Sequence, residues 1–155
     1  MSIFVASVHD SLQALNRIVS LLRSRQFSID ALTLARSEQP AIARLTLVVN
    51  DAQPKPQRVA ACLDKLEEVV SVRQAIDGDV VCRDAALVKL SGSPAVADWL
   101  SAHGQNPPVR STERTAEGVI VELFGSPDDL TRTMASFPPG SVVESSRLGP
   151  LVVRR

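Results

Sequence analysis

Along the first half of the chain, apolar positions alternate with polar ones, then recur at helical spacing, then alternate again. Ile3 to Val8 reads Ile-Phe-Val-Ala-Ser-Val, a strand that runs through His9-Asp10-Ser11 into a segment with Leu12, Leu15, Val19 and Leu22 on one stripe. Ile18 and Leu21 widen that stripe, while Asn16, Arg17, Ser20, Arg23 and Ser24 take the other side, which predicts an amphipathic helix lying on a sheet. Two β-like runs follow, Phe27 to Arg36 and Ile42 to Val49, and Ser37-Glu38-Gln39-Pro40 between them predicts a hairpin. Asn50-Asp51-Ala52-Gln53-Pro54 leads into a second predicted helix, where Val59, Cys62, Leu63, Leu66, Val69 and Val70 recur with Lys65, Glu67 and Glu68 outside. A short strand over 71–76 stops at Asp77-Gly78. The order is βαββαβ, in which two helices pack on one face of a four-stranded antiparallel sheet.

The second half parses in the same order. A strand is predicted over 85–90, a helix over 95–102, strands near 109–114 and 119–124, a helix over 128–137 and a strand from Val142 onward. The chain therefore reads as α+β, two tandem ferredoxin-like βαββαβ units over 1–76 and 84–155, joined by a linker at 77–83. All seven glycines lie at Gly78 or later, so whatever the first unit does, it does without glycine.

Composition narrows the function classes. At 45% hydrophobic residues the 155-residue chain can build packed cores. Seventeen basic and seventeen acidic residues cancel, and with four Phe and one Trp there is neither a basic block nor a base-stacking platform, which argues against nucleic acid. The N-terminal apolar run is too short for a signal peptide or membrane span, so a cytoplasmic protein is expected. Cys62 and Cys82 read as reduced thiols, Cys62 on the apolar stripe of the second helix, and no metal-ligand spacing is present. His9 and His103 are the only histidines, and none of the common catalytic or phosphate-binding motifs occurs, so no catalytic residue is expected. Trp99 reads as core filling. Arg17, Arg23, Arg25, Arg154 and Arg155 read as solvated surface, with a partner-protein interface as the alternative.

Four segments, 14–34, 42–47 (Ile-Ala-Arg-Leu-Thr-Leu), 83–90 (Arg-Asp-Ala-Ala-Leu-Val-Lys-Leu) and 143–149 (Val-Glu-Ser-Ser-Arg-Leu-Gly), resemble in order the small, regulatory subunit of acetolactate synthase. The resemblance implies an N-terminal ACT domain followed by an ACT-like domain, with no active site and no cofactor. It further implies a homodimer that docks on a thiamine-diphosphate-dependent catalytic large subunit, raises its activity and transmits inhibition by valine or a related branched-chain amino acid. It places the effector at Asp10, Ser11, Leu12, Gln13, Ala14 and Leu15 of one chain, with Ser28 and Ile29 facing it across the dimer interface. The family's Asn-x-x-Gly is held here by Asp10, Leu12 and Gln13, and its strand asparagine by Ser28, so both polar anchors and the glycine have changed. Two readings of the loop follow. In one, Asp10 caps the helix and Gln13 reaches back to the Asp10 N–H, a self-capped turn occupying the N–H groups a ligand carboxylate would need. In the other, Asp10 holds the ammonium group of a different ligand. A stand-alone ACT-type sensor of another amino-acid-like molecule is the alternative to a regulatory subunit.

Overall fold

The structure, a computed structural model, describes residues 2–50, 57–76 and 78–155. The first unit contains β1 (Ser2–His9), α1 (Leu12–Ser24), β2 (Ile29–Arg36), β3 (Ile42–Val49), α2 (Gln57–Leu63) and β4 (Val69–Gln74). Its strands lie in the order β2-β3-β1-β4, all antiparallel. Strand alternation sends Phe4, Ala6 and Val8 from β1, and Ala43, Leu45, Leu47 and Val49 from β3, to the same face, where Ile18 and Leu22 of α1 and Val59 and Leu63 of α2 meet them. Each large apolar side chain fully buried there stabilises the fold by about 1.5–3 kcal/mol. Truncating one such as Leu47 to alanine would cost about 2–5 kcal/mol.

The second unit repeats the order with β5 (Val80–Ser91), α3 (Pro94–His103), β6 (Val109–Thr115), β7 (Gly118–Gly125), α4 (Pro127–Ala135) and β8 (Val142–Arg147). Its sheet runs β6-β7-β5-β8, and a further short strand, β9 (Leu151–Arg154), also pairs with β5. Ala86, Val88, Leu90, Val121 and Leu123 pack against Val96, Trp99 and Leu130. Trp99 is a core residue as expected, stacked on His103, edge-on to Phe137, with its indole N–H donating to Ser136 Oγ at 3.1 Å. Cys62 packs at the edge of the first core. Spatially, the described residues through Val81 group with Val152–Arg155, and Cys82–Leu151 form the other compact unit.

The two βαββαβ units are those the residue pattern predicts, but several details differ. The buried residues of α1 are Ala14, Ile18 and Leu22, whereas Leu12 is 81% and Val19 46% exposed. At about 100° per residue, positions 14, 18 and 22 share a face, and 12 and 19 point roughly 100° or more away from its centre. The second helix ends at Leu63 rather than running on through Val70. Val69 still enters the same core, but as the first residue of β4, and Val70 beside it turns outward. The run Val69-Val70-Ser71-Val72 is β-branched at three of four positions, which favours strand over helix, so the local chemistry overrides the helical spacing. Similarly β5 begins at Val80, five residues before the predicted strand, within the stretch expected as linker. The stretch 51–54 and Asp77 lie outside the described residues.

Candidate functional site

Three backbone hydrogen bonds fix the joint between β1 and α1. The N–H of His9 donates to Glu68 O (2.9 Å), that of Asp10 to Ala41 O (2.9 Å), and that of Ser11 to His9 O (2.8 Å). The turn is thus tied to the approach to β4 on one side and to the β2–β3 hairpin on the other. Ser11, in extended backbone, is the N-cap, and its Oγ accepts from the N–H of Ala14 at 3.1 Å. A serine hydroxyl at this position stabilises a helix by about 1 kcal/mol.

The expected capping box between Asp10 and Gln13 is therefore not formed. The cap lies one residue later, which puts Ala14 at the third helical position, where no side chain can reach back. Asp10 instead turns to Arg36 at the end of β2, Oδ2 to Nε 3.4 Å, with the Arg36 side chain almost wholly in water. An ion pair this exposed contributes little and is readily exchanged. Arg36 was not singled out by sequence reading. Its signal was positional, a cation closing a strand immediately before the turn. The Gln13 side chain is exposed on the outer face of α1, near Asn16, Arg17 and Ser20.

The eight expected site residues divide into three groups. Asp10, Ser11, Leu12 and Gln13 are exposed around the helix start, where Ser11 satisfies one backbone N–H and helix geometry leaves those of Leu12 and Gln13 without intrahelical acceptors. Ala14 is fully buried and Leu15 half-buried, so both act as core. Ser28 and Ile29 stand at the other end of the sheet. In the register, Arg36 pairs with Ala43 and His9 with Ile42 at one end, whereas Ile29 and Ser2 both pair with Val49 at the other. Seven residues of strand separate these ends, about 23 Å. Ser28 is exposed there, and its carbonyl accepts from the N–H of Asn50 at 3.0 Å. Within one chain, then, the loop and Ser28 cannot touch the same small molecule.

The start of α1, with no acidic residue in its first turn, can attract an anion by its free N–H groups and dipole, and Asp10 beside it can attract a cation. Zwitterion binding is the chemistry this arrangement offers. Among the described residues up to the end of β4, the left-handed backbone positions are held by Gln26 (φ 56°) and Ala41 (φ 62°) rather than by glycine. The second unit's equivalent joint does carry one, in Ser91-Gly92-Ser93-Pro94, with Ser93 as N-cap beside a cavity of about 520 Å³.

Among known proteins, residues 7–71 match the family model described as the AHAS small subunit-like ACT domain. The chain is 24% identical over 148 residues to the acetolactate synthase small subunit of Mycolicibacterium smegmatis, covering 96% of this chain and 87% of that protein. It is 27% identical over 151 residues to the acetolactate synthase isozyme 3 small subunit of Salmonella typhimurium, covering 92% and 88%. The crystal structure of the acetolactate synthase small subunit from Thermotoga maritima superposes with a TM-score of 0.84 at 22% identity, covering 99% of this chain and 96% of that one, and so shares the fold. The order of the two units, the matched ACT segment and the near full-length relatives agree: over residues 7–71 the chain matches an ACT domain of the acetolactate synthase small-subunit type, and over nearly its whole length it is similar to those small subunits.

Proposed function

We propose that this chain is the non-catalytic regulatory subunit of an acetolactate synthase, cytoplasmic and homodimeric, which activates a thiamine-diphosphate-dependent catalytic large subunit and carries an altered valine site. The observation that supports it most is the separation of the two half-sites by the length of β2. This strand is a sheet edge, with Leu32 and Leu34 half-buried along it. An uncovered edge is a template for pairing, and a two-fold antiparallel pairing of β2 with its copy lays the Ser28 end of one chain beside the Asp10–Gln13 end of the other. A site that is split in one chain becomes whole in two. In place of the family's glycine and two asparagines, this site has the Gln13 Cβ, the Asp10 carboxylate and the Ser28 hydroxyl. It therefore offers a bulkier approach to the ligand carboxylate and fewer amide donors.

The test is reconstitution with the purified catalytic subunit. The mixture should copurify, show a higher acetolactate synthase rate than the catalytic subunit alone, and respond weakly to valine. Light scattering of the chain alone should give twice its 16.7 kDa mass. A monomer at micromolar concentration would end the two-chain site, and a catalytic subunit unaffected by this chain would end the regulatory reading.

A further inference from the structure

The first sheet has two faces, and the loop site uses neither. The helix-free face carries Val5 and Ser7 of β1, Arg44 and Thr46 of β3, and Ser71 and Arg73 of β4. The register sets them in rows. Ser7 stands opposite Arg44 on one side and Ser71 on the other, and Val5 stands opposite Thr46 and Arg73. Arg44 and Arg73 thus flank β1 on a diagonal, two strand spacings across and two residues along, with about 12 Å between their backbones. Val153 and Arg154, which group with the first unit, complete a cavity of about 590 Å³ over this face. A second cavity of about 420 Å³ shares Arg73 and Arg154 and adds Arg155 and Asp79.

The lining of the first cavity carries three guanidiniums, Arg44, Arg73 and Arg154, and one carboxylate, Glu38, and Asp79 lines the second. Glu38 already gives both carboxylate oxygens to Arg44, at 3.0 and 3.1 Å. Among the described residues no carboxylate forms an ion pair with Arg73 or Arg154. Two guanidiniums held at one cavity with no ion-paired carboxylate among the described residues repel each other, and an anion between them removes that repulsion. The volume lies in the range of small-molecule sites rather than of a single ion. Guanidinium forks recognise phosphate oxygens in pairs, and the Ser7 and Ser71 hydroxyls, in the row of Arg44 next to that of Arg73, add two neutral donors. Val5, buried beneath them, is an apolar floor.

We propose that the helix-free face of the first sheet is a binding site for a small phosphate-bearing oxyanion with two or more negative charges, held by Arg73 and Arg154 with Arg44, Ser7 and Ser71 alongside. The site is separate from the β1–α1 loop and does not depend on whether that loop binds an amino acid.

The test is calorimetric titration of the full chain with pyrophosphate, inorganic phosphate and citrate, paired with amide shifts in NMR. Pyrophosphate should bind with a Kd below about 1 mM, more tightly than phosphate or citrate, and should move the amides of Ser7, Arg44, Ser71 and Arg73. Arg73→Ala with Arg154→Ala should weaken it roughly tenfold or more, and the lysine pair Arg73→Lys with Arg154→Lys less, since charge is kept but the fork is lost. Arg23→Ala, on α1, should leave it unchanged. The amide shifts on the unaltered chain give the answer even where a variant folds poorly. Absence of pyrophosphate binding overturns the proposal, as do shifts confined to other residues. An equal loss in Arg23→Ala would mean diffuse charge attraction only, and tighter binding of citrate would exclude the phosphate class.

Discussion

Replacing Arg147 with alanine should destabilise the second unit far more than a surface arginine warrants. Asp84 near the middle of β5 is fully buried, its side chain 1% exposed, and Oδ2 accepts from Arg147 Nε at 2.6 Å while Oδ1 accepts from the N–H of Ala85 at 2.7 Å. Arg147, at the end of β8, also donates to Thr131 Oγ1 at 3.1 Å and Pro127 O at 3.0 Å, so one guanidinium fastens β5 and β8 to α4. Truncation leaves an uncompensated buried carboxylate, which costs about 3–5 kcal/mol in well-enclosed pairs. Because the Arg147 side chain is 35% exposed, water can reach part of the vacated space, and the low end, about 3 kcal/mol, is expected. Trp99 is the only tryptophan and lies in the second core, so urea unfolding followed by its fluorescence reads this unit selectively. Asp84→Asn with Arg147→Met should recover much of the loss, giving a coupling energy of roughly 2 kcal/mol in the double-mutant cycle. A cost for Arg147→Ala below about 1 kcal/mol would show that the pair behaves as an exposed one, and the argument from burial would be wrong.

Ala41→Gly should leave stability unchanged or raise it by about 1 kcal/mol by urea melts, because relief of left-handed strain at φ 62° outweighs the added chain entropy. The Asp129 carboxylate is held below the ordinary aspartate range by the Ser126 hydroxyl and then by Arg132. Since its folded pKa is depressed, its contribution is present above the unfolded value and lost as pH falls through the folded one. Carboxyl NMR should show it titrating below the other solvent-exposed aspartates, and Ser126→Ala should return it toward them. The variant Asp10→Asn, Gln13→Gly, Ser28→Asn should bind valine by calorimetry where the parent binds weakly or not at all. Its Ser11 cap is intact, so the glycine alone should cost about 0.5–1 kcal/mol.

The βαββαβ order could be read from the residues because strands and helices bury different periods, and Phe4, Ala6, Val8 and Leu45, Leu47, Val49 keep period two without interruption. Boundaries failed where one residue suits both patterns. Val69 lies at helical spacing from Leu63 and Leu66 but enters the core as a strand residue. The cap was misplaced by one because Asp10 and Ser11 are both good caps, and only the tertiary position of Arg36 shows which is drawn elsewhere. Asp84 and Arg147 lie in two of the segments that resemble the family, 63 residues apart, yet nothing in either segment reveals their pairing. The convergence of Arg44, Arg73 and Arg154 was equally hidden, since strand register and the return of the last strand bring them together.

On the proposed pairing, the residues that hold two copies together differ from those that would hold an effector. Leu32 and Leu34 lie along the β2 edge, whereas the effector groups sit beyond its two ends, at Ser28 and at the loop. Loss of the family's glycine and asparagines therefore removes donors and space without altering the pairing edge. A ligand bound only by the two-chain site stabilises the dimer by the same free energy by which dimerisation improves its binding. The unaltered chain should then show a dimer dissociation constant insensitive to valine. In the Asp10→Asn, Gln13→Gly, Ser28→Asn variant, saturating valine at about 100 times its Kd should favour the dimer by about 2.7 kcal/mol per site. Sedimentation of both proteins with and without valine measures this directly. A parent dimer that tightens with valine would mean that the Asp10 carboxylate and Ser28 hydroxyl form a working site, and the altered-site reading would have to be abandoned.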